Sequence, residues 1–181
     1  MSSEELLTET AQEVLELPLP ESRVTEQHPT RHHDVILSNI PNAETVGEGY
    51  GRSVVWLPEL PHREPTPTEE EQMYDGCVIK FAYNDCHEGS GLRQNETENG
   101  IWKSSNPPIE HEHLTPVFEA DKENRWLIMP FREIVPTVAI FEDKVREIFG
   151  ELPTGDLASK HSWGMNHNHT IECTDYGRLP L

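Results

Sequence analysis

The chain has 181 residues, of which 34% are hydrophobic, and it carries a net charge of −19 at neutral pH. This length allows one domain with a modest core, and the acidic balance argues against nucleic acid and anionic membranes as partners. The acidic residues are spread along the chain and Lys is scarce, which is typical of proteins that work in molar salt. We therefore expect a halophilic archaeal or viral origin, with an ordinary acidic cytosolic protein as the alternative.

The cysteines and the first residues bear on the compartment. Three cysteines are too few for a disulfide scaffold, and no Cys-x-x-Cys pair is present, which favours a reducing interior. Residues 1–5 are acidic where a signal peptide needs a positive start, and no apolar run reaches membrane-spanning length. We expect a cytoplasmic protein or a virion component.

Residues 1–33 are predicted to form an acidic arm and linker. Within them, residues 3–17 place Leu and Val at helical spacing between acids, which predicts a short amphipathic helix. Such a helix is suited to binding a protein partner or the main body. Pro18 and Pro20 interrupt it, so the folded domain is predicted to span residues 34–181.

The first strands of this domain flank a glycine-rich loop. Residues 34–40 and 52–57 are predicted strands, and Gly47, Gly49 and Gly51 lie between them. Alternate glycines let backbone N–H groups approach a phosphate closely. An ordinary glycine-rich hairpin gives the same pattern and remains the alternative.

A strand with a single charge follows. Residues 58–75 are rich in Pro and Glu and are predicted to form an exposed loop. Residues 76–82 then form an apolar strand with Lys80 in its middle. A buried lysine is unfavourable unless it is paired, so Lys80 is a candidate functional residue; an edge strand with Lys80 in solvent is the alternative. Residues 92–103 are predicted to be a helix that carries Glu98.

The next segment is predicted to hold two strands and the longest helix. Residues 114–118 and 125–129 read as an antiparallel pair. After Pro136, apolar residues recur at helical spacing as far as Leu152, with charges between them. This pattern predicts a helix with one buried face.

The C-terminal segment is predicted to be a hairpin between two acids. Short strands at 163–165 and 170–174 flank the turn 166–169, where Asn tolerates the positive φ of a hairpin loop. The hairpin would hold Asp156 and Asp175 near one edge. Two convergent carboxylates suit a metal–phosphate site, and two unrelated surface acids are the alternative.

Histidines offer a further metal-site hypothesis. His111 and His113 have a spacing that suits a metal on an extended segment, but no third ligand follows at a recognisable spacing, which favours a solvated loop. The histidines considered for such a site are His32, His33, His111, His113, His161, His167 and His169.

Taken in order, these motifs resemble those of the protein-kinase-like superfamily from about residue 35 to residue 177. Residues 46–54 resemble the kinase glycine loop, one residue short, and residues 77–80 (Cys-Val-Ile-Lys) resemble its Val-Ala-Ile-Lys strand. Asp175-Tyr-Gly177 resembles Asp-Phe-Gly. The resemblance implies an α+β fold: an antiparallel N-lobe sheet with one Glu-bearing helix, then a long helix and a short catalytic-loop-like hairpin.

The resemblance also implies roles for individual residues. Lys80 would pair with the ATP phosphates and with Glu98, with Glu96 as the fallback partner. Gly47, Gly49 and Gly51 would cover the phosphates, and Met129 lies on the strand that would contact adenine. Asp156 would be the catalytic base, and Asp175 would hold Mg²⁺.

Departures from the kinase pattern favour a degenerate site. Residues 154–155 (Thr-Gly) stand where His-Arg should precede the base, and Ser162 or His161 occupies the neighbourhood of the missing metal-binding Asn. The sequence stops soon after Gly177, so no full helical C-lobe is expected. We expect a pseudokinase-type protein that binds a nucleotide or a partner with low activity. The alternative is a structural, virion or host-factor-binding protein that keeps the fold without ATP chemistry.

Overall fold

A computed structural model describes residues 42–48, 51–65, 71–82, 91–177 and 179. Within these residues the chain folds as α+β, with two antiparallel sheets and two α-helices, which confirms the predicted class. The predicted helix at 3–17 and the predicted strand at 34–40 lie outside the described residues. No helix in the described part of the chain is long and apolar enough to cross a membrane.

The larger sheet has five antiparallel strands in the order β1-β2-β3-β5-β4. Its strands are β1 (Glu44–Glu48), β2 (Arg52–Pro65), β3 (Glu71–Ala82), β4 (Glu119–Ala120) and β5 (Trp126–Pro130). Lys80 on β3 pairs with Val54 on β2 and with Leu127 on β5. Lys80 therefore lies in the centre of the sheet, and the edge-strand alternative is wrong.

The exposed loop predicted over residues 58–75 is wrong for most of its length. Strands β2 and β3 continue as a long hairpin whose pairing extends to Pro65 and Glu71. The register shifts between Leu57 and Pro61, so an irregularity there accommodates the prolines. Among the described residues, β1 pairs only with the first part of β2, and no described strand pairs with the same edge of the rest of β2, where a missing N–H would cost little.

The first helix, α1 (Gly91–Lys103), confirms the helix predicted at 92–103 and packs against β3 and β5. Its buried face is unusually polar, whereas the inner face of a surface helix is normally apolar. The buried residues are Gly91, Gln94, Asn95, Thr97, Glu98 and Ile101. Buried polar groups need hydrogen-bond partners, so this face must meet polar groups of other elements.

The segment after α1 differs from the prediction of a strand at 114–118. The short strand β4 begins only at Glu119. Leu114 instead forms a parallel bridge with Cys173, and the backbone N–H of Thr115 donates to the carbonyl of Cys173 at 3.0 Å. Leu114 and Val117 are buried in the core, so the apolar pattern of this segment reflects burial rather than a strand.

The second helix, α2 (Val138–Phe149), confirms the helix predicted after Pro136. The Thr137 hydroxyl caps its first turn by accepting the N–H of Ile140 at 3.3 Å. Gly150 ends the helix in the left-handed conformation (φ 76°). Phe141 is buried against Trp163, but Ile140 is 48% exposed, so the apolar stripe is only partly covered.

The smaller sheet has the order β6-β7-β8. Its strands are β6 (Glu133–Ile134), β7 (Trp163–Met165) and β8 (Ile171–Cys173), which confirms the predicted C-terminal hairpin. In the turn, the Asn166 side-chain oxygen accepts the N–H groups of Asn168 and Thr170, both at 2.9 Å. The positive φ belongs to His169 (60°) rather than to an asparagine, because Asn166 serves as the anchor of the turn.

Candidate functional site

Lys80 forms the centre of a buried ion pair. Side chains alternate along a strand, so Ile79 and Phe81 enter the core on the other face of the sheet, whereas Lys80 points towards α1. Its Nζ lies 3.0 Å from both carboxylate oxygens of Glu98. Lys80 is 5% exposed and Glu98 is fully buried, so each charge requires an opposite charge nearby.

The segment that follows β8 closes over this pair. The Nζ of Lys80 also donates to the carbonyl of Thr174 at 2.5 Å. The backbone N–H of Gly177 donates to Glu98 Oε1 at 3.1 Å. Thr174 is therefore bonded to Lys80, and Gly177 is bonded to Glu98. Asp175 lies between these two residues in the chain.

Tyr176 and Gly177 explain how this segment reaches α1. Tyr176 is fully buried, and its hydroxyl donates to the carbonyl of Thr115 at 2.8 Å. A Cβ atom on Gly177 would lie 2.7 Å from the carbonyl oxygen of Gln94. Because real Cβ atoms do not approach so closely, only glycine allows the segment to pack against the helix here.

Arg52, which the sequence analysis did not single out, is the fourth charged member of the site. One terminal nitrogen, Nη1, lies 3.0 Å from Glu98 Oε2, and the other, Nη2, donates to Asp175 Oδ1 at 2.5 Å. The Arg52 side chain is almost completely buried. We call Arg52, Lys80, Glu98 and Asp175 the charge cluster; its two cations face two carboxylates.

Asn95 orients the guanidinium of Arg52. Its side-chain N–H₂ donates to the carbonyls of Lys80 (3.2 Å) and Asn124 (3.0 Å). Its Oδ1 is then the acceptor for Arg52 Nη1, at 3.2 Å. Asn95 is fully buried on α1. Arg52 could have been found from the sequence, because it is a charged residue at the start of an apolar strand. Asn95 carries no comparable sequence signal.

Electrostatic interactions keep Asp175 and Arg52 charged. Burial works to raise the pKa of Asp175, but attraction to Lys80 and Arg52 outweighs burial and lowers this pKa from 3.8 to about 2. Burial works to lower the pKa of Arg52, and the ion pairs with Glu98 and Asp175 outweigh it and raise the pKa. The Asp175 side chain is 47% exposed, so it faces solvent more than the other members of the cluster.

Two of the three predicted loop glycines lie in the described residues. Gly47 lies in β1 opposite Val54. A Cβ atom on Gly47 would lie 3.6 Å from the Val54 side chain, an ordinary contact distance, so a larger residue than glycine would fit at this position. The carbonyl oxygen of Gly51 lies only 1.9 Å from where a Cβ on Gly91 would be. The end of the loop therefore packs directly onto the first turn of α1. Gly49 lies outside the described residues.

The predicted base and the second predicted metal ligand lie beside the hairpin. The backbone of Asp156 lies in a short 3₁₀ helix, Gly155–Ala158, and its side chain is outside the described part of the structure. Ser162 is buried, and its carbonyl accepts the N–H groups of Thr174 (2.8 Å) and Asp175 (3.2 Å). The structure thus brings the backbones of Ser162 and Asp175 together.

Two further predicted positions have clear surroundings. Met129 is 1% exposed and lies in the core opposite Val78, so its side chain has almost no free surface. Glu96, the fallback partner for Lys80, is exposed on α1, whereas Glu98 on the same helix holds the lysine. The structure therefore selects Glu98 of the two glutamates.

The surroundings of Asp175 do not fit a divalent ion. Mg²⁺ takes oxygen ligands in near-octahedral geometry, usually one or two carboxylates with water and phosphate oxygens, and nearby cations repel it from a carboxylate. One oxygen of Asp175 is bound by Arg52, the charge of Lys80 is close by, and the Ser162 carbonyl already accepts two N–H groups. Among the described side chains, the one group of three potential metal ligands within reach of one another is Glu110, Glu112 and His113.

The histidine hypothesis gains little from the structure. The ring Nε2 of His111 lies 2.9 Å from the carbonyl of Trp102. His161, His167 and His169 are exposed, and His32 and His33 lie outside the described residues. The three-residue group that includes His113 is largely exposed, and exposed acids commonly occur together without a metal.

No protein-family model matches the chain, and no curated protein was found to be similar to it.

Proposed function

We propose that the chain is a kinase-like protein of the pseudokinase type, which binds a nucleotide at the charge cluster and transfers phosphate slowly or not at all. The observation that carries the proposal is the buried pair of Lys80 and Glu98, which Arg52 links to Asp175. A lysine on the third strand, a glutamate on the following helix and an aspartate before Tyr-Gly are the parts that the kinase resemblance implies. Gly51, which directly precedes β2, lies next to Arg52, and its carbonyl packs against Gly91 at the start of α1.

Slow or absent phosphate transfer follows from the state of the charged groups. Phosphate transfer depends on metal ions and positioned cations that neutralise the developing charge. Both cations of the cluster are already paired with carboxylates, and the surroundings of Asp175 do not fit a divalent ion. A nucleotide would therefore be held with little catalysis.

Replacement of Lys80 by methionine tests the nucleotide site. We expect ATP in molar salt with magnesium to raise the melting temperature of the wild type by several degrees, since saturation to about 100 times Kd adds about 2.7 kcal/mol. Lys80→Met should abolish this rise, because methionine keeps the length of the side chain but not its charge. Thermal shift and calorimetric titration measure both results.

Lys144→Met is the matched control, since Lys144 lies on the surface of α2 and pairs only locally with Glu147. It should keep the full response to ATP. No response in the wild type at millimolar ATP would remove nucleotide binding from the proposal. An equal response in Lys80→Met would place the nucleotide elsewhere.

The second candidate is an interaction or virion protein that keeps this fold without a nucleotide. It is favoured by the mutual neutralisation within the charge cluster, where each cation contacts a carboxylate and no ligand is needed to complete the pairing. In that case the cluster would serve to hold β2, β3, α1 and the C-terminal segment together. Lack of any ATP response, together with co-purification with virus particles or one protein partner, would select this candidate.

A further inference from the structure

Three side-chain acceptors hold the guanidinium group of Arg52 in one orientation. Its Nη1 contacts Asn95 Oδ1 and Glu98 Oε2, and its Nη2 contacts Asp175 Oδ1. The amide of Asn95 is oriented by its own donations to two backbone carbonyls, one of them that of Lys80. A guanidinium that is fixed by three acceptors is a permanent part of the site rather than a surface side chain that reached it by chance.

The backbone also holds Arg52 in place. Arg52 pairs with Ala82 of β3. The preceding carbonyl, that of Gly51, and the Arg52 side chain itself both pack against Gly91 at the start of α1. These contacts fix the backbone and the first part of the Arg52 side chain against the start of α1, within reach of Asp175.

A divalent ion at Asp175 would meet two positive charges. Arg52 contacts Asp175 directly, and Lys80 acts on the same carboxylate by Coulombic attraction. Like charges at short range repel strongly in a partly buried site. The carbonyl oxygen of Ser162, which accepts the N–H of Asp175, also accepts the N–H of Thr174, so it is poorly placed to act as a metal ligand.

We infer that Arg52 takes the place of a divalent cation at Asp175, so that neither the charge cluster nor a nucleotide bound there requires a metal ion. The nucleotide part rests on the proposed function, whereas the metal part concerns only residues of this chain. The ion pair supplies the positive charge that a metal would otherwise bring to the carboxylate. Arg52 is thus a positioning residue that decides whether ligand binding depends on a metal ion.

Titration with Mn²⁺ alone, followed by electron paramagnetic resonance on the full chain in molar salt, tests the metal part. The acidic surface will bind some Mn²⁺ in every variant, so differences between variants carry the result. We expect the wild type and Asp175→Asn to bind equal amounts. Arg52→Gln should gain one site, and the double variant Arg52→Gln, Asp175→Asn should lose it again.

One more Mn²⁺ site in the wild type than in Asp175→Asn would overturn the inference. The comparison of the wild type with Asp175→Asn needs no Arg52 variant, so it tests the metal part even if Arg52→Gln fails to fold. Circular dichroism shows whether Arg52→Gln is folded. Failure of a folded Arg52→Gln to gain a site would overturn the inference equally. Arg125→Gln is the control, because Arg125 pairs with Asp121 outside the charge cluster and should leave Mn²⁺ binding unchanged.

Calorimetric titration with ATP, in excess EDTA or in excess Mg²⁺, tests the nucleotide part. The wild type should show Kd values within about twofold of each other, whereas Arg52→Gln should bind at least about tenfold more tightly with Mg²⁺. A tenfold loss of affinity in EDTA for the wild type would overturn the inference and leave the proposed function intact. No binding in either condition would overturn the proposed function and the nucleotide part, and the Mn²⁺ comparison would then decide the metal part.

Discussion

Glu98 is the residue that joins the separate parts of the charge cluster. It is fully buried, and its two oxygens accept from Lys80, lie within reach of Arg52 and accept the backbone N–H of Gly177. A buried ion pair need not be more stable than an apolar contact, but removal of one partner leaves the other charge without compensation. Glu98 compensates two cations, so its charge matters more than its volume.

Replacement of Glu98 by glutamine tests this role. Glutamine keeps the volume but supplies an N–H₂ group towards Lys80 and Arg52, both of which are donors. We expect Glu98→Gln to lower the free energy of unfolding by about 3–5 kcal/mol, the usual effect of breaking a buried pair. Urea denaturation in molar salt measures this change.

Glu96→Gln is the matched control, because Glu96 lies on the same helix but is exposed. It should change the free energy of unfolding by no more than about 0.5 kcal/mol. Equal effects of the two substitutions would mean that the charge cluster does not contribute to the folded state.

At the scale of elements, the start of α1 fixes the position of the whole cluster. The helix begins at Gly91, where the carbonyl of Gly51, the Cα of Ala82 and the side chain of Arg52 all come within 2.8 Å of the place that a Cβ would take. The helix therefore approaches Gly51 and the start of β2 more closely than a residue with a side chain at position 91 allows. This contact sets the distance from Glu98 on α1 to Lys80 on β3.

Two glycine substitutions on α1 should have opposite effects. Gly91→Ala would force the helix away from β2, and we expect a loss of about 1–3 kcal/mol. Gly100→Ala, at an exposed position inside the same helix, should raise stability by about 0.5–1 kcal/mol through better helix propensity. Thermal unfolding of both variants measures these effects, and a neutral Gly91→Ala would show that the contact with Gly51 is not kept in solution.

At the scale of the whole molecule, the net charge of −19 is the dominant property. The charge cluster balances its own charges, so it does not contribute to this excess. The unpaired acids repel one another and destabilise the compact state where they are not screened. A halophilic source remains a proposal that rests on this charge pattern.

Salt dependence of the melting temperature tests the proposed adaptation. Between about 0.1 M and 1 M KCl the screening length falls from about 10 Å to about 3 Å. We expect a stabilisation of at least about 1 kcal/mol, which raises the melting temperature by about 2–4 °C. A sucrose series is the control, because sucrose stabilises by exclusion and does not screen charge. A melting temperature that is unchanged by KCl would contradict the salt-adapted interpretation.

The sequence by itself determined the elements whose causes are local. The helix α2, from its apolar periodicity, the helix around Glu98 and the C-terminal hairpin were all predicted near their observed positions. Lys80 was also predictable as a residue of interest, because one charge within an apolar strand requires a partner wherever that partner comes from.

Only the tertiary structure decided which groups meet. Whether residues 58–65 form a loop or a strand depends on the pairing of residues 61–65 with residues 71–75 of β3, and no local pattern in residues 58–65 records that partner. The partners of Arg52 lie on α1 and after β8, so its role appears only when these segments pack. The physical reason is that an ion pair needs its groups within a few ångströms, and that distance is set by the packing of helix on sheet rather than by spacing along the chain.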